Sequence, residues 1–338
     1  MRGLALGLTL TAALAAWTAR GADASYHPPR NALGQPDLEG VWTNSSLTTL
    51  QRPVQYSKLA LTPQEARAAE VADARRRARA SAPTNPASGA LAAAEDPGGY
   101  NAFWIDRGTQ LAQVAGQFRT SWIVEPADGK IPYRPDVIRT ITERRGRRAN
   151  FDNPETRNLG ERCLVGYGST SGPPMLNVLY NNNYQFVQTK DAVTILVEMN
   201  HDARIIRLNE KEHLPPNMTP WMGDSIGQWD GDTLVVETTN FNPGQALNGF
   251  YLPPTAKVTE RFTRTAPDQI LYQFTVEDPK TYTRPWKAEM PLRATKATIY
   301  EYACHEGNYA LPDILAGARK EERASARTSS VPPPAGGS

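Results

Sequence analysis

Residues 221–241 read WMGDSIGQWDGDTLVVETTNF, and the fold turns on how this stretch is paired. Asp230-Gly231 is a two-residue turn signal between two runs that suit β-strands. A type I′ turn there pairs Trp229 with Asp232, Ile226 with Val235, and Asp224 with Glu237. Side chains alternate along a strand, so Asp224, Ile226, Gln228, Thr233, Val235 and Glu237 share one face. Ser225, Gly227, Trp229, Asp232, Leu234 and Val236 form the other. This register sets Asp224 and Glu237 directly opposite each other, with Cβ atoms roughly 5 Å apart. Like charges repel there. Either one carboxyl is protonated, or a cation sits between the two, or the register differs.

Working outward, more strands appear on both sides. Upstream, 184–189 and 193–199 alternate in polarity, and 200–203 turns into 204–208. Downstream, 257–264 and 269–277 flank Ala266-Pro267-Asp268, and 284–290 with 298–303 would make a last hairpin tipped by 293–296. Turn signals this close together predict a mainly-β chain, an antiparallel meander closing into a barrel. A barrel of eight or more strands can hold one small ligand. The stretch 151–183 is dense in turn formers and reads as a lid or binding loop.

The ends of the chain carry other signals. Arg2, the apolar run 3–17 and Ala22-Asp23-Ala24 form an export signal, with cleavage expected after Ala24. The run is too short for a stable membrane span. Residues 1–24 are thus the signal, and the expected compartment is periplasmic or extracellular. Cleavage lowers the net charge from +2 to +1, a balance that argues against nucleic acid as a partner. Cys163 and Cys304 are the two cysteines, and an oxidising compartment makes a disulfide between them the default. Residues 25–61 form an arm and first strand. Thr62, Pro63 and Glu65 then start a helix with a capping box; its body is basic and nearly devoid of large apolar residues, so 62–99 reads as an exposed helix and loop. The barrel domain spans 100–319, ending in a helix at 311–319, and 320–338 reads as a disordered tail.

Two resemblances add to this reading. Gly40-Val41-Trp42, at the entry to the first strand, resembles the G-x-W signature that opens lipocalin and other calycin barrels, which implies a lipocalin-like barrel with an N-terminal helical embellishment. Glu161-Arg162-Cys163-Leu164 through Gly172-Pro173-Pro174, the 223–241 stretch, and YEYACHEGNY at 300–309 resemble a widespread group of exported bacterial proteins. That resemblance covers roughly residues 150–320 and implies an exported, β-rich protein without pointing to an activity.

Chemistry rests on few groups. Close carboxylates push their pKa values apart, so Asp224 and Glu237 can act as acid and base. His201, in a turn, and His305, beside Cys304, are candidates to relay protons. The histidine spacing does not match a zinc motif, and with no phosphate-binding glycine loop neither a metal nor a cofactor is expected. Trp221, Trp229, Tyr184, Trp286 and Tyr302 would line the ligand site. The sequence thus leans towards an enzyme acting by acid–base chemistry on a small, partly apolar molecule: an isomerase, lyase or hydrolase. The alternative is a carrier using the same pocket without chemistry.

Overall fold

Alternation decides which way each strand faces. In 192–197 the residues Val193, Ile195 and Val197 are fully buried while their neighbours are half-buried, the pattern of a strand with one face on a core. The computed structural model describes residues 26–81, 105–147, 151–247 and 249–329; the expected signal and most of the expected loop at 80–99 lie outside them. The short N-terminal elements are β1 (Gly40–Thr43), β2 (Ala60–Leu61), α1 (Pro63–Ala80), β3 (Gln113–Val114), β4 (Gln117–Arg119), β5 (Ile123–Glu125) and α2 (Pro135–Arg147). The larger strands follow: β6 (Asn183–Gln188), β7 (Ala192–Val197), β8 (Ala203–Leu208), β9 (Asp224–Asp230), β10 (Thr233–Thr239), β11 (Lys257–Ala266), β12 (Gln269–Glu277) and β13 (Trp286–Ala294), then α3 (Ala310–Ser329).

Nine of these strands close into a barrel in the order β1-β6-β7-β8-β9-β10-β11-β12-β13, with β13 returning to β1 through Trp42↔Ala294 and Thr43↔Arg293. An odd number of strands cannot alternate in direction all the way round a closed barrel. The meander therefore breaks once: β8 and β9 run parallel, and the other eight neighbours are antiparallel. A parallel pair needs a crossover rather than a tight turn. Residues 209–223 supply it.

The barrel is packed, not hollow. Phe186 meets Phe262 edge-on at 5.7 Å, Phe262 stacks on Tyr272 at 4.8 Å, and Phe274 meets Trp286 at 5.7 Å. Leu38 of the N-terminal arm, buried and bonded through its N–H to Gln188, closes one end. The turn-rich stretch enters the other. Tyr272 Oη accepts from Met175 N at 3.0 Å, and Tyr184 Oη donates to Thr170 O at 3.1 Å. The expected lid or binding loop is thus, at 169–176, a plug of buried residues. Beneath it Arg204 faces Glu260 in a wholly buried ion pair, with Tyr272 donating to the same carboxylate at 2.6 Å.

Several expectations need correction. The hairpin loop is Gly231-Asp232, because Asp230 opposes Thr233. Glycine takes the left-handed φ of +59° at little cost, and Asp230 stays on the strand to meet Arg261 at 3.0 Å. Every partner moves two places along β10, which keeps each residue on its expected face but sets Asp224 opposite Thr239 and Glu237 opposite Ile226. Residues 298–303 form no strand, since β13 already pairs with β12, β5 and β1. Helix α1 has its capping box but is not simply exposed: Ala66 and Asp73 are buried, and Asp73 meets Arg76, Arg77 and Arg107. Helix α3 continues through 320–329, where a disordered tail is expected, because KEERASARTS contains no glycine or proline to stop it.

The Cys163–Cys304 disulfide is present, with Cα atoms 5.7 Å apart and a sequence separation of 141. It ties the C-terminal segment to the stretch that leads into the plug. Among the described residues no helix is long and apolar enough to cross a membrane.

Candidate functional site

Strand registers place two buried carboxylates at the same barrel end, in different surroundings. Asp224 begins β9 and Glu198 follows β7. The pairings Tyr184↔Val197, Leu196↔Ala203 and Ile206↔Ser225 bring those termini to one end.

Asp224 lies on the outer face, beneath the crossover. Arg207 Nη2 stands 3.0 Å from both its oxygens, and Leu214 N–H donates to Oδ2 at 3.0 Å. His213 bridges the pair: Nδ1 is 2.8 Å from Asp224 Oδ2, and Nε2 is 3.3 Å from Glu237 Oε1. Lys257 adds its ammonium 3.5 Å from Glu237. Burial works to raise the Asp224 pKa but is outweighed by Leu214 N–H, His213 and Arg207, so its carboxyl is held below the usual value. The repulsion foreseen between Asp224 and Glu237 is thereby relieved twice, by the shifted register and by interposed side chains. This cluster pins the crossover to the wall, and it faces away from the barrel interior.

Glu198 lies on the other side of the same end. The residue is 3 % exposed and lines a cleft of about 670 Å³. The walls come from 180–183, from Ser45, Ile105 and Asp106, and from the disulfide-tethered segment 297–304. Asn183 Nδ2 donates to Glu198 Oε2 at 2.9 Å, and the backbone N–H groups of Asn183 and Tyr300 reach the carboxyl at 3.4 Å each. Burial dominates these hydrogen bonds and raises the Glu198 pKa above its usual 4.5. Asp202, four residues on, is also raised by burial, against Ser171 Oγ and Gly166 N–H, which hold its Oδ2. Asn200 and His201 between them adopt left-handed φ values of 61° and 44°, so the chain bends sharply there and Glu198 leaves the strand pattern.

The expected site residues are distributed between these places. Asp224 and Glu237 are brought together, but the histidine between them is His213, not His201 or His305. Both of the latter are exposed and line neither place. His201 N–H donates to Glu198 O at 3.4 Å, and His305 O accepts from Asn308 N at 3.2 Å. Of the aromatics, Tyr302 does line the cleft. Tyr184 and Trp286 are wholly buried core, and Trp229 packs against that core. Trp221 belongs to a separate cavity of about 300 Å³ beside Arg144 and Arg162. Sequence reasoning passed over Glu198 because it ends an alternating run and reads as an ordinary strand position. The signal available was Met199-Asn200-His201, a break in that alternation directly after it.

Comparisons of the chain with protein-family models, with curated proteins and with solved structures find no match.

Proposed function

We propose that the protein binds a small, partly apolar molecule in the cleft over Glu198 and performs acid–base chemistry on it without a cofactor. The observation that carries this reading is a single one: a buried carboxyl, its pKa raised by desolvation, fronting a cleft walled by Tyr180, Tyr300 and Tyr302. A carboxyl raised towards neutrality exchanges protons more readily at working pH than an ordinary one. Asn181, Asn182 and Asn183 make one wall of the cleft polar but uncharged. The proton work moves in this reading from Asp224 and Glu237, which are engaged in holding the crossover, to Glu198.

A carrier is the second reading. It is favoured by the lining of the cleft, where Glu198 is the one buried carboxylate and Asp106 and Glu301 are exposed. Native mass spectrometry of the protein purified from its own host, followed by incubation of the retained molecule with wild type and with Glu198→Gln, separates the two. Conversion by wild type alone supports the enzyme. Return of the molecule unchanged by both establishes the carrier. A bare protein that a broad panel of small apolar molecules fails to stabilise overturns the cleft as a binding site.

A further inference from the structure

The lining of the Glu198 cleft is one-signed. Its ionisable members include Asp106, Glu198 and Glu301, and its described residues contain no lysine, arginine or histidine. The cations nearest in sequence or contact do not line it. Arg293 donates to the Ser45 carbonyl at 2.9 Å, and Arg107 pairs with Asp73 at 2.8 Å. Lys296 and His305 are exposed neighbours of lining residues and do not line the cleft themselves.

The other buried carboxylates make the contrast plain. Asp73 faces Arg77 and Arg107, Asp224 faces Arg207, Glu260 faces Arg204, and Glu289 faces Arg119. Asp278 is the exception: its carboxylate meets the neutral hydroxyl of Thr255, and it does not line the cleft. Glu198 has neutral amide partners only, from Asn183, Tyr300 and Asn181, and it alone of these buried carboxylates lines the cleft. A buried carboxylate without a counter-charge is costly, and a ligand that brings the charge removes that cost. Tyrosine ring faces also attract cations. An anionic ligand would meet three carboxylates and no compensating charge.

We infer that the molecule taken into this cleft is a partly apolar organic amine in its ammonium form, with Glu198 as its counter-ion and Tyr180, Tyr300 and Tyr302 as its aromatic wall. The inference rests on the reading that the cleft is the binding site, and it names the ligand class for it.

Isothermal titration of the full mature chain, disulfide intact, tests this with three probes of one shape: phenethylammonium, 2-phenylethanol and phenylacetate. The ammonium should bind about tenfold more tightly than the alcohol, an ordinary difference for one partly desolvated ion pair with aromatic support, and phenylacetate should give no binding. Glu198→Gln should bring the ammonium down to the affinity of the alcohol and leave the alcohol unchanged. Tyr300→Ala, at a position 70 % exposed, should weaken the ammonium alone by about threefold; it serves as the test should the Glu198 variant fail to fold. Phenylacetate binding as well as the ammonium, or alcohol and ammonium binding equally, overturns the ammonium class and leaves the cleft reading standing. Ammonium binding indifferent to both substitutions places the site elsewhere. No heat with any probe, together with no molecule retained in native mass spectrometry, overturns both readings.

Discussion

Asp224 and Glu198 are two buried carboxylates at one barrel end, and their pKa values move in opposite directions. Both lose water on folding. Asp224 gains a guanidinium, an imidazole and a backbone N–H in return, so the charged form wins. Glu198 gains amides alone, so the neutral form gains ground. Burial by itself therefore does not decide what a carboxylate is for; the partners decide. One of these groups is consumed in holding the chain in place. The other is left with unspent electrostatic capacity, next to open space.

This contrast can be broken experimentally, most heavily through the disulfide that tethers one wall of the cleft. Replacing both Cys163 and Cys304 by Ser should cost about 4–5 kcal/mol by the loop-entropy relation for a cross-link of this span. Guanidinium titration checks it. Ligand binding at Glu198 should weaken in the same variant, while the Asp224 cluster, built from 207–237 and Lys257, should keep its behaviour on acidification.

Next in size is Asp224→Ala. It strands Arg207, His213 and Leu214 N–H, and should destabilise by about 3 kcal/mol, the low end for a broken buried pair, because Arg207 and His213 retain some access to water. A denaturation midpoint unchanged from wild type would show that the crossover is held by other contacts. Glu237→Gln should matter far less, about 0.5 kcal/mol, since that carboxylate is substantially exposed.

Glu198→Gln should have the smallest effect at low pH, and its pH dependence sharpens the comparison. A folded pKa below 3.8 means that the stability Asp224 contributes is present above that value and lost as pH falls through the folded one. Glu198 has the opposite sign. With a folded pKa above 4.5, stability linked to it is greatest below 4.5 and declines as pH rises through the folded value. Glu198→Gln should abolish that decline, making the variant equal to or more stable than wild type at neutral pH. Midpoints measured across the acid range on wild type and both variants check the two signs together. A Glu198→Gln profile that loses stability at neutral pH would mean that the carboxylate is paired after all.

Much of the barrel was legible because the relevant signals are local. Alternation marked 184–189, 193–199 and 204–208, the glycine turn marked the β9–β10 hairpin, and Thr62-Pro63-Gln64-Glu65 marked the start of α1. The two cysteines, with the expected oxidising compartment, pointed to the disulfide without any knowledge of the fold. Even the face shared by Asp224 and Glu237 was correct despite the shifted register, since a two-place slip preserves a period of two.

What the chain could not state locally is how its strands close. The parallel β8–β9 pair follows from an odd strand count, a property of the whole ring. That pair requires the crossover, and the crossover carries His213 onto Asp224 from eleven residues away. Glu198 is the same kind of case. In sequence it is a charged residue at the end of a strand, and it becomes a candidate site through Ser45, Asp106, the 180–183 segment and the disulfide-held segment 297–304, drawn together from distant parts of the chain. Sequence by itself determined the strands of 184–208, the β9–β10 hairpin and the start of α1, because each depends on residues within a few positions, and it pointed to the cross-link through its two cysteines. Tertiary closure alone decided which carboxylate is paired and which is left facing a cleft, because charge compensation in a buried place depends on neighbours that only the closed barrel supplies.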